Sequence, residues 1–341
     1  MVESLCRLLP EADLFTLFYE PERVSEVIRS RRVTASFLNP LRRWHRWTLP
    51  LMPVALEQFD LRGYDLVISS ESGPAKGVLT SSRTRHVCYC HTPMRYLWEL
   101  NQDYLHDWTR SRLRRAVMAP VATWLRQWDY ATAARVDTFV ANSENVKRRI
   151  WKTYRREAEV VYPPVAVESF YGKPAEDYYL AVSELVPYKR MDEAVASFRR
   201  SGRRLKVVGE GPEYRRLRGL AGGSVEFLGR VTEEELRDLY ARCRALVMPG
   251  EEDFGMTAVD ALASGKPVVA LGRGGALETV ASGGVLYDAP GEANLTAAMA
   301  RFEAVEARFE PEELRRLAAP FSAEEFEGKM REMLLPSGCS A

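Results

Sequence analysis

From Tyr178 onward, short apolar runs bounded by Gly and Pro alternate with helical patterns. That alternation constrains the fold more than any other feature of the chain. Runs at residues 178–183, 205–209, 225–228, 245–248, 267–271 and 285–287 read as strands, and residues 191–198, 212–221, 232–241, 256–263 and 276–281 carry helical spacing between them. Strands of near-continuous hydrophobicity interleaved with helices predict an α/β domain built on a doubly wound parallel sheet. Thr232 followed by Glu233, Glu234 and Glu235 is a strong helix start, because the hydroxyl caps orphan N–H groups and the acids complement the helix dipole.

The first half repeats the theme less cleanly, with strands expected at 13–18, 65–69, 85–90 and 137–141 and a long helix at about 110–134. A chain of 341 residues exceeds one ordinary core and fits two domains. Tyr162-Pro163-Pro164-Val165 reads as the crossing between them, since consecutive prolines stiffen a connection and end regular pairing. The expected division is 1–165, 166–320, and a final helix and tail at 321–341, patterned by Phe321, Phe326, Met330 and Met333.

Composition excludes several classes. No run reaches the roughly 18 apolar residues that span a bilayer, and Glu3 and Arg7 interrupt the short apolar start, so no signal peptide is read and the cytoplasm is expected. The five cysteines, Cys6, Cys88, Cys90, Cys243 and Cys339, form no Cys-x-x-Cys pair, which indicates neither a disulfide framework nor a zinc site. Residues 1–165 hold 25 Lys+Arg against 18 Asp+Glu, while 166–341 hold 23 against 29, so the first half suits an anionic surface or acceptor. There is no Asp-x-Asp, no P-loop, and Gly209-Glu210-Gly211-Pro212 lacks the third glycine of a dinucleotide fingerprint.

The most informative stretch is 244–260. A buried strand ends in Pro249-Gly250, passes through Glu251-Glu252-Asp253, and opens a helix at Gly255. In a parallel sheet such loops lie at the carboxyl ends of strands, where ligands bind and the free N–H groups of a new helix face an anion. A carboxylate at Glu252 suits sugar hydroxyls rather than phosphate. The combination points to a ligand that is both; taken alone, the acidic run also reads as a helix start favoured by the dipole.

That loop, Glu252-Asp253-Phe254-Gly255-Met256-Thr257-Ala258-Val259-Asp260, resembles the E-x7-E motif of family 4 retaining glycosyltransferases, usually Glu-Gly-Phe-Gly-x-x-x-x-Glu. The resemblance extends through Tyr64-Asp65-Leu66-Val67-Ile68-Ser69-Ser70, His91-Thr92-Pro93-Met94-Arg95-Tyr96, Val140-Ala141-Asn142-Ser143, Ser183-Glu184-Leu185-Val186-Pro187-Tyr188-Lys189-Arg190, Gly209-Glu210-Gly211-Pro212 and Gly274-Gly275-Ala276-Leu277-Glu278. Their order is similar to the branch that includes O-antigen mannosyltransferases.

The resemblance implies the GT-B arrangement, two Rossmann-like domains facing across a cleft, and a nucleotide-sugar donor transferred to a saccharide or lipid-linked saccharide without a metal or other cofactor. By the same resemblance Glu252 binds donor-sugar hydroxyls, Lys189 neutralises the departing diphosphate, and backbone N–H groups around Phe254, Gly255 and Met256 hold sugar and phosphate. Asp260 matches an acid that accepts from ribose hydroxyls, one methylene shorter here. His91 is implied to project against the donor sugar when the domains close. Arg95, Tyr96 and Trp98 are read as acceptor-side wall, or alternatively as ordinary packing of an aromatic loop; a lone His likewise has a structural reading.

Two further departures qualify these expectations. Glu184 stands where the family carries a phosphate-binding Arg, so Arg190, or Arg273 in the turn Gly272-Arg273-Gly274-Gly275, is expected to supply the second cation. Residues 2–9 read as an amphipathic helix where the resemblance implies an opening strand and a Gly-Gly loop, so the first domain is expected to lack that strand, with a gap in its sheet. The Glu252-Asp253-Phe254-Gly255 loop in this register favours transfer over a sugar-nucleotide 2-epimerase of the same fold, and retention of Lys189, Glu252 and His91 favours it over a non-catalytic nucleotide-sugar-binding protein.

Peripheral membrane contact is a further expectation, from Arg42, Arg43, Trp44, His45, Arg46 and Trp47 and from the segment 108–128 with Arg110, Arg112, Arg114, Arg115, Trp124 and Arg126. Trp124 and Trp128, at i and i+4, also read as one helix face packed on its own sheet. No nucleic-acid partner is indicated.

Overall fold

The computed structural model describes residues 1–44, 47–101 and 112–335, with residues 112–117 described by their backbone alone. His45, Arg46, Trp108, Arg110 and Cys339 lie outside the described residues, as do the side chains of Arg112, Arg114 and Arg115. The chain divides into two compact units, Met1–Tyr162 with Lys329–Ala341, and Pro163–Gly328.

In the first unit the described chain starts with a helix, Val2–Leu8, followed by β1 (Leu14–Thr16) and β2 (Val33–Ala35), which pair in parallel. A parallel sheet of β3 (Leu66–Glu71), β4 (Arg85–Cys90), β5 (Thr138–Ala141) and β6 (Ala158–Val160) follows in that order. Among the described residues no ladder joins β1 to β3, so the strands fall into two sheets. Phe15 on β1 instead meets the rings of Phe59 and Tyr64 edge-on, at 5.4 and 5.7 Å.

The helix Arg112–Thr132 splits the tryptophan pair expected to share a face. Trp128 packs over Gly77, where an added Cβ would fall 2.1 Å from the indole, and its N–H donates to Glu57 at 3.1 Å. Trp124 is 44% exposed, which corrects the reading of both rings as packed on the sheet. The helix Glu144–Tyr154 starts at Ser143, whose hydroxyl accepts from the Val146 N–H at 3.0 Å.

The second unit is a six-stranded parallel sheet of β7 (Tyr179–Val182), β8 (Leu205–Val208), β9 (Val225–Gly229), β10 (Leu246–Met248), β11 (Val268–Leu271) and β12 (Gly284–Tyr287). Its order is β12-β11-β10-β7-β8-β9, so the chain winds outward from the centre twice, in opposite directions. Every residue of β10 and β11 is buried, as helices on both faces require. Burying each such Val, Leu or Met contributes roughly 1.5–3 kcal/mol. Thr232 and Glu235 form a capping box at the start of Glu233–Arg242. The final helix, Ala323–Leu334, starts in the second unit and ends in the first, where the Met333 carbonyl accepts from Arg85 at 3.0 Å.

Candidate active site

In the second unit β7 and β10 are neighbours from which the chain departs to opposite sides, the switch point where open α/β sheets bind ligands. The loop after β7 carries Lys189 and the loop after β10 carries Glu252. Their backbones touch: a Cβ on Gly250 would lie 2.8 Å from the Lys189 Cα. That approach brings the Lys189 ammonium onto the Glu252 carboxylate, and the two side chains are only 17% and 21% exposed.

Glu252 is also pinned from its other side. It forms a parallel bridge with Gly274, and its carbonyl accepts from the Gly275 N–H at 2.8 Å. The acidic run lies before the helix Met256–Ala263 rather than in its first turn, and Glu252 is held by a cation and a neighbouring loop. Gly255 caps that helix with φ +96°, a conformation that favours glycine, and as the N-cap residue it brings no side chain of its own to the first N–H groups. Phe254 is buried and meets Phe321 edge-on at 5.4 Å, anchoring the loop through its ring. Met256 is exposed.

The remaining second-unit candidates fall into different roles. Arg190, itself left-handed at φ +53°, donates to Glu193 at 2.6 Å, and Glu193 accepts in turn from the Gly291 N–H at 2.8 Å. Its charge is thus engaged at the start of the helix Met191–Ser201. Arg273 is exposed, with one contact of 3.5 Å to the Asp288 carbonyl. Glu184 is exposed. Asp260 faces inward beside Tyr240, whose hydroxyl makes no hydrogen bond of good geometry; desolvation pushes the Asp260 carboxyl up to about 7, moderated by that phenol. The residue keeps part of its surface open, yet its carboxyl is the desolvated part.

In the first unit His91 directly follows β4. Its Nε2 lies 3.0 Å from the Ser70 hydroxyl, its N–H donates to the Glu71 carbonyl at 2.7 Å, and its ring meets Tyr89 edge-on. Tyr96 donates to the Met94 sulfur at 3.0 Å, and Arg95 approaches Glu99 at 4.0 Å. Trp98 is partly buried and donates from Nε1 to Asp129 at 2.7 Å.

Two features were not singled out in the sequence. A cavity of 680 Å³ lies beyond β8 and β9, lined by Glu210, Gly211, Pro212, Tyr214, Arg215 and Gly229. Its signal was Gly209-Glu210-Gly211-Pro212, a glycine turn directly after a strand. The other is a buried ion cluster of Glu71, Lys76 and Asp129, signalled by a lysine inside the otherwise apolar turn 73–79.

Residues 1–169 match the family described as Glycosyltransferase Family 4, and residues 168–319 match Glycosyl transferases group 1. An uncharacterized glycosyltransferase of Methanocaldococcus jannaschii is 30% identical over 159 residues, 45% of either chain. The O-antigen chain mannosyltransferase RfbU of Salmonella typhimurium is 31% identical over 140 residues, 37% of this chain and 40% of that one. These alignments span less than half the length of the curated relatives. Among solved structures, sucrose-phosphate synthase of Thermosynechococcus elongatus superposes with a TM-score of 0.70 at 19% identity, covering 97% of this chain and 90% of that one. HepE of Anabaena, in complex with UDP and glucose, gives 0.69 at 17%, covering 98% and 95%. At such identities the likeness is one of fold.

Proposed function

Since the chain belongs to the family 4 glycosyltransferases, with two Rossmann-like units of the GT-B kind, we propose that it transfers a hexosyl group with retention from a nucleotide sugar to a saccharide or lipid-linked saccharide in cell-surface polysaccharide synthesis. Mannose from GDP-mannose is the first donor to test, on the strength of the mannosyltransferases among its relatives. The observation that carries the reading is the Lys189–Glu252 pair beside the glycine-capped helix start at Gly255. It sets a cation, a sugar-hydroxyl acceptor and the N–H groups of a helix start within one short stretch of the sheet's carboxyl edge.

In this mechanism Lys189 and the helix N-terminus stabilise the charge that develops on the leaving diphosphate. Glu252 orients the donor sugar through its hydroxyls. The acceptor attacks an oxocarbenium-like sugar on the face the diphosphate leaves, and no protein nucleophile is invoked. The positive charge comes from side chain and backbone, so the proposal is metal-independent. Phe37, Leu41, Trp44, Trp47, Leu51 and Val54 are exposed along one segment with Arg42 and Arg43, which supports peripheral contact with an anionic leaflet and a lipid-linked acceptor.

A thermal-shift panel of GDP-, UDP- and ADP-sugars tests the donor class: the true donor raises Tm by mass action, most for the matching nucleotide. Release of nucleotide only when a saccharide acceptor is present supports transfer. Epimerised sugar nucleotide without acceptor identifies a 2-epimerase instead, and binding without turnover identifies a non-catalytic binding protein.

A further inference from the structure

Lys76 is fully buried in the turn Ala75–Gly77 that follows β3. Its ammonium donates to Glu71 at 2.8 Å and to Asp129, and lies 4.6 Å from the centre of the Tyr154 ring. The Lys76 backbone N–H adds a second bond to Glu71, at 2.6 Å. Both acids are fully buried as well. Burial pushes the Glu71 carboxyl up against the pull of Lys76, while the two acids overcome the desolvation of Lys76 and keep it charged.

Of the two acids, only Asp129 reaches the segment after β4 with its carboxylate; the bond from the His91 N–H to the Glu71 carbonyl, 2.7 Å, is main chain to main chain, and the His91 ring meets Ser70. Asp129 accepts from Trp98 Nε1 at 2.7 Å and from the Tyr154 hydroxyl at 2.9 Å. A buried ion cluster is a poor way to gain stability, since apolar side chains of similar volume often serve as well. What it supplies is direction: a charge-assisted bond fixes the indole at an angle that apolar packing leaves free to slide.

We propose that Glu71, Lys76 and Asp129 are positioning residues for a saccharide-binding wall, Glu71 and Lys76 fixing Asp129 and Asp129 fixing Trp98 from inside the first unit. The proposal rests on the transferase reading for its choice of ligand. An indole fixed at one edge offers a rigid apolar surface to the C–H face of a sugar, at little entropic cost on binding.

The test uses the full chain labelled with 5-fluorotryptophan, the Trp98 signal being assigned from its absence in Trp98→Phe. Methyl α-mannoside is the saccharide probe. In the unsubstituted protein the Trp98 resonance is expected to move with added saccharide. In Asp129→Asn it should shift and broaden before any addition, and the saccharide response should weaken by about tenfold or more, as a displacement near one ångström implies. Should Asp129→Asn fail to fold, Tyr154→Phe removes one donor to Asp129 and is expected to weaken the response about threefold to fivefold. An unmoved Trp98 signal in a folded variant, an unchanged saccharide response, or no response in the unsubstituted protein overturns the proposal. The nucleotide-sugar panel examines the second unit and fails independently of this result.

Discussion

The Lys189 ammonium pairs with the Glu252 carboxylate across 63 residues of sequence because β7 and β10 are neighbours in the sheet. With no donor bound, each charge neutralises the other in a mostly buried position. Under the proposed function a nucleotide sugar would bring both a phosphate for the lysine and hydroxyls for the glutamate, and the pair would loosen as both members gain partners. Glu252→Gln is expected to lower transfer by about a hundredfold, because a neutral amide accepts from the donor-sugar hydroxyls less strongly than a carboxylate. Its melting temperature should fall, with the fold intact, because Lys189 loses its charged partner. Unchanged turnover in the purified variant removes Glu252 from the site.

The cations near this pair separate by what they already hold. Lys189→Ala should weaken nucleotide binding by about 1.5–3 kcal/mol, the range for a charged hydrogen bond. Arg190→Ala should cost stability rather than affinity, since Arg190 is engaged with Glu193. Exposed Arg273 is the remaining candidate, and Arg273→Ala is expected to reduce affinity by less than Lys189→Ala. Glu184→Ala should leave affinity equal or improved. Isothermal titration with the nucleotide diphosphate ranks the four variants, and equal losses at Glu184 and Lys189 would give Glu184 a positive role.

Asp260 supplies a pH dependence of known sign. Its folded pKa, about 7, stands above the ordinary aspartate value of 3.8, so the folded state binds this proton more tightly than the unfolded state. The stabilising contribution is complete below the unfolded value and is lost as pH rises through the folded one. Asp260→Asn removes the titration. The variant is expected to gain melting temperature relative to the unsubstituted protein as pH rises from about 5, with the gain building up toward about pH 7 and levelling off by about pH 8. A constant difference across that range would falsify the assignment.

The second unit was legible in sequence because its strands are short, fully buried runs punctuated by Gly and Pro, and its Thr232 cap carries a local signal. Lys189, Glu252 and Gly255 were legible for a related reason: each lies directly beyond a strand or before a helix. The three-residue strands β2 and β6 each carry a polar residue at their centre, Thr34 and Glu159, so no apolar run marks them. The helices Glu292–Val305 and Pro311–Ala318 were passed over between the expected last strand and the final helix. Tertiary partnerships were out of reach altogether. No spacing rule pairs Lys76 with an aspartate 53 residues away, engages Arg190 with Glu193 instead of a ligand, or turns Asp260 toward Tyr240.

Gly250 ties the stability of the second unit to its ligand. Its hydrogen faces the Lys189 backbone, where an added Cβ would sit 2.8 Å from Cα and 2.8 Å from the carbonyl oxygen, closer than real Cβ contacts. The obstacle is main chain, so no side-chain rotation relieves it, and the loop after β7 must shift. Gly250→Ala is therefore expected to lower the melting temperature, with a cost of about 1–3 kcal/mol for overpacking. It should also weaken nucleotide affinity beyond what Arg190→Ala does, because the displaced loop carries Lys189 away from Glu252. Thermal melts with and without saturating nucleotide measure both effects. A variant that melts lower yet gains the full ligand-induced shift shows that the Lys189 loop is free to move without losing its contact, and the proposed dependence of binding on this close approach is then wrong.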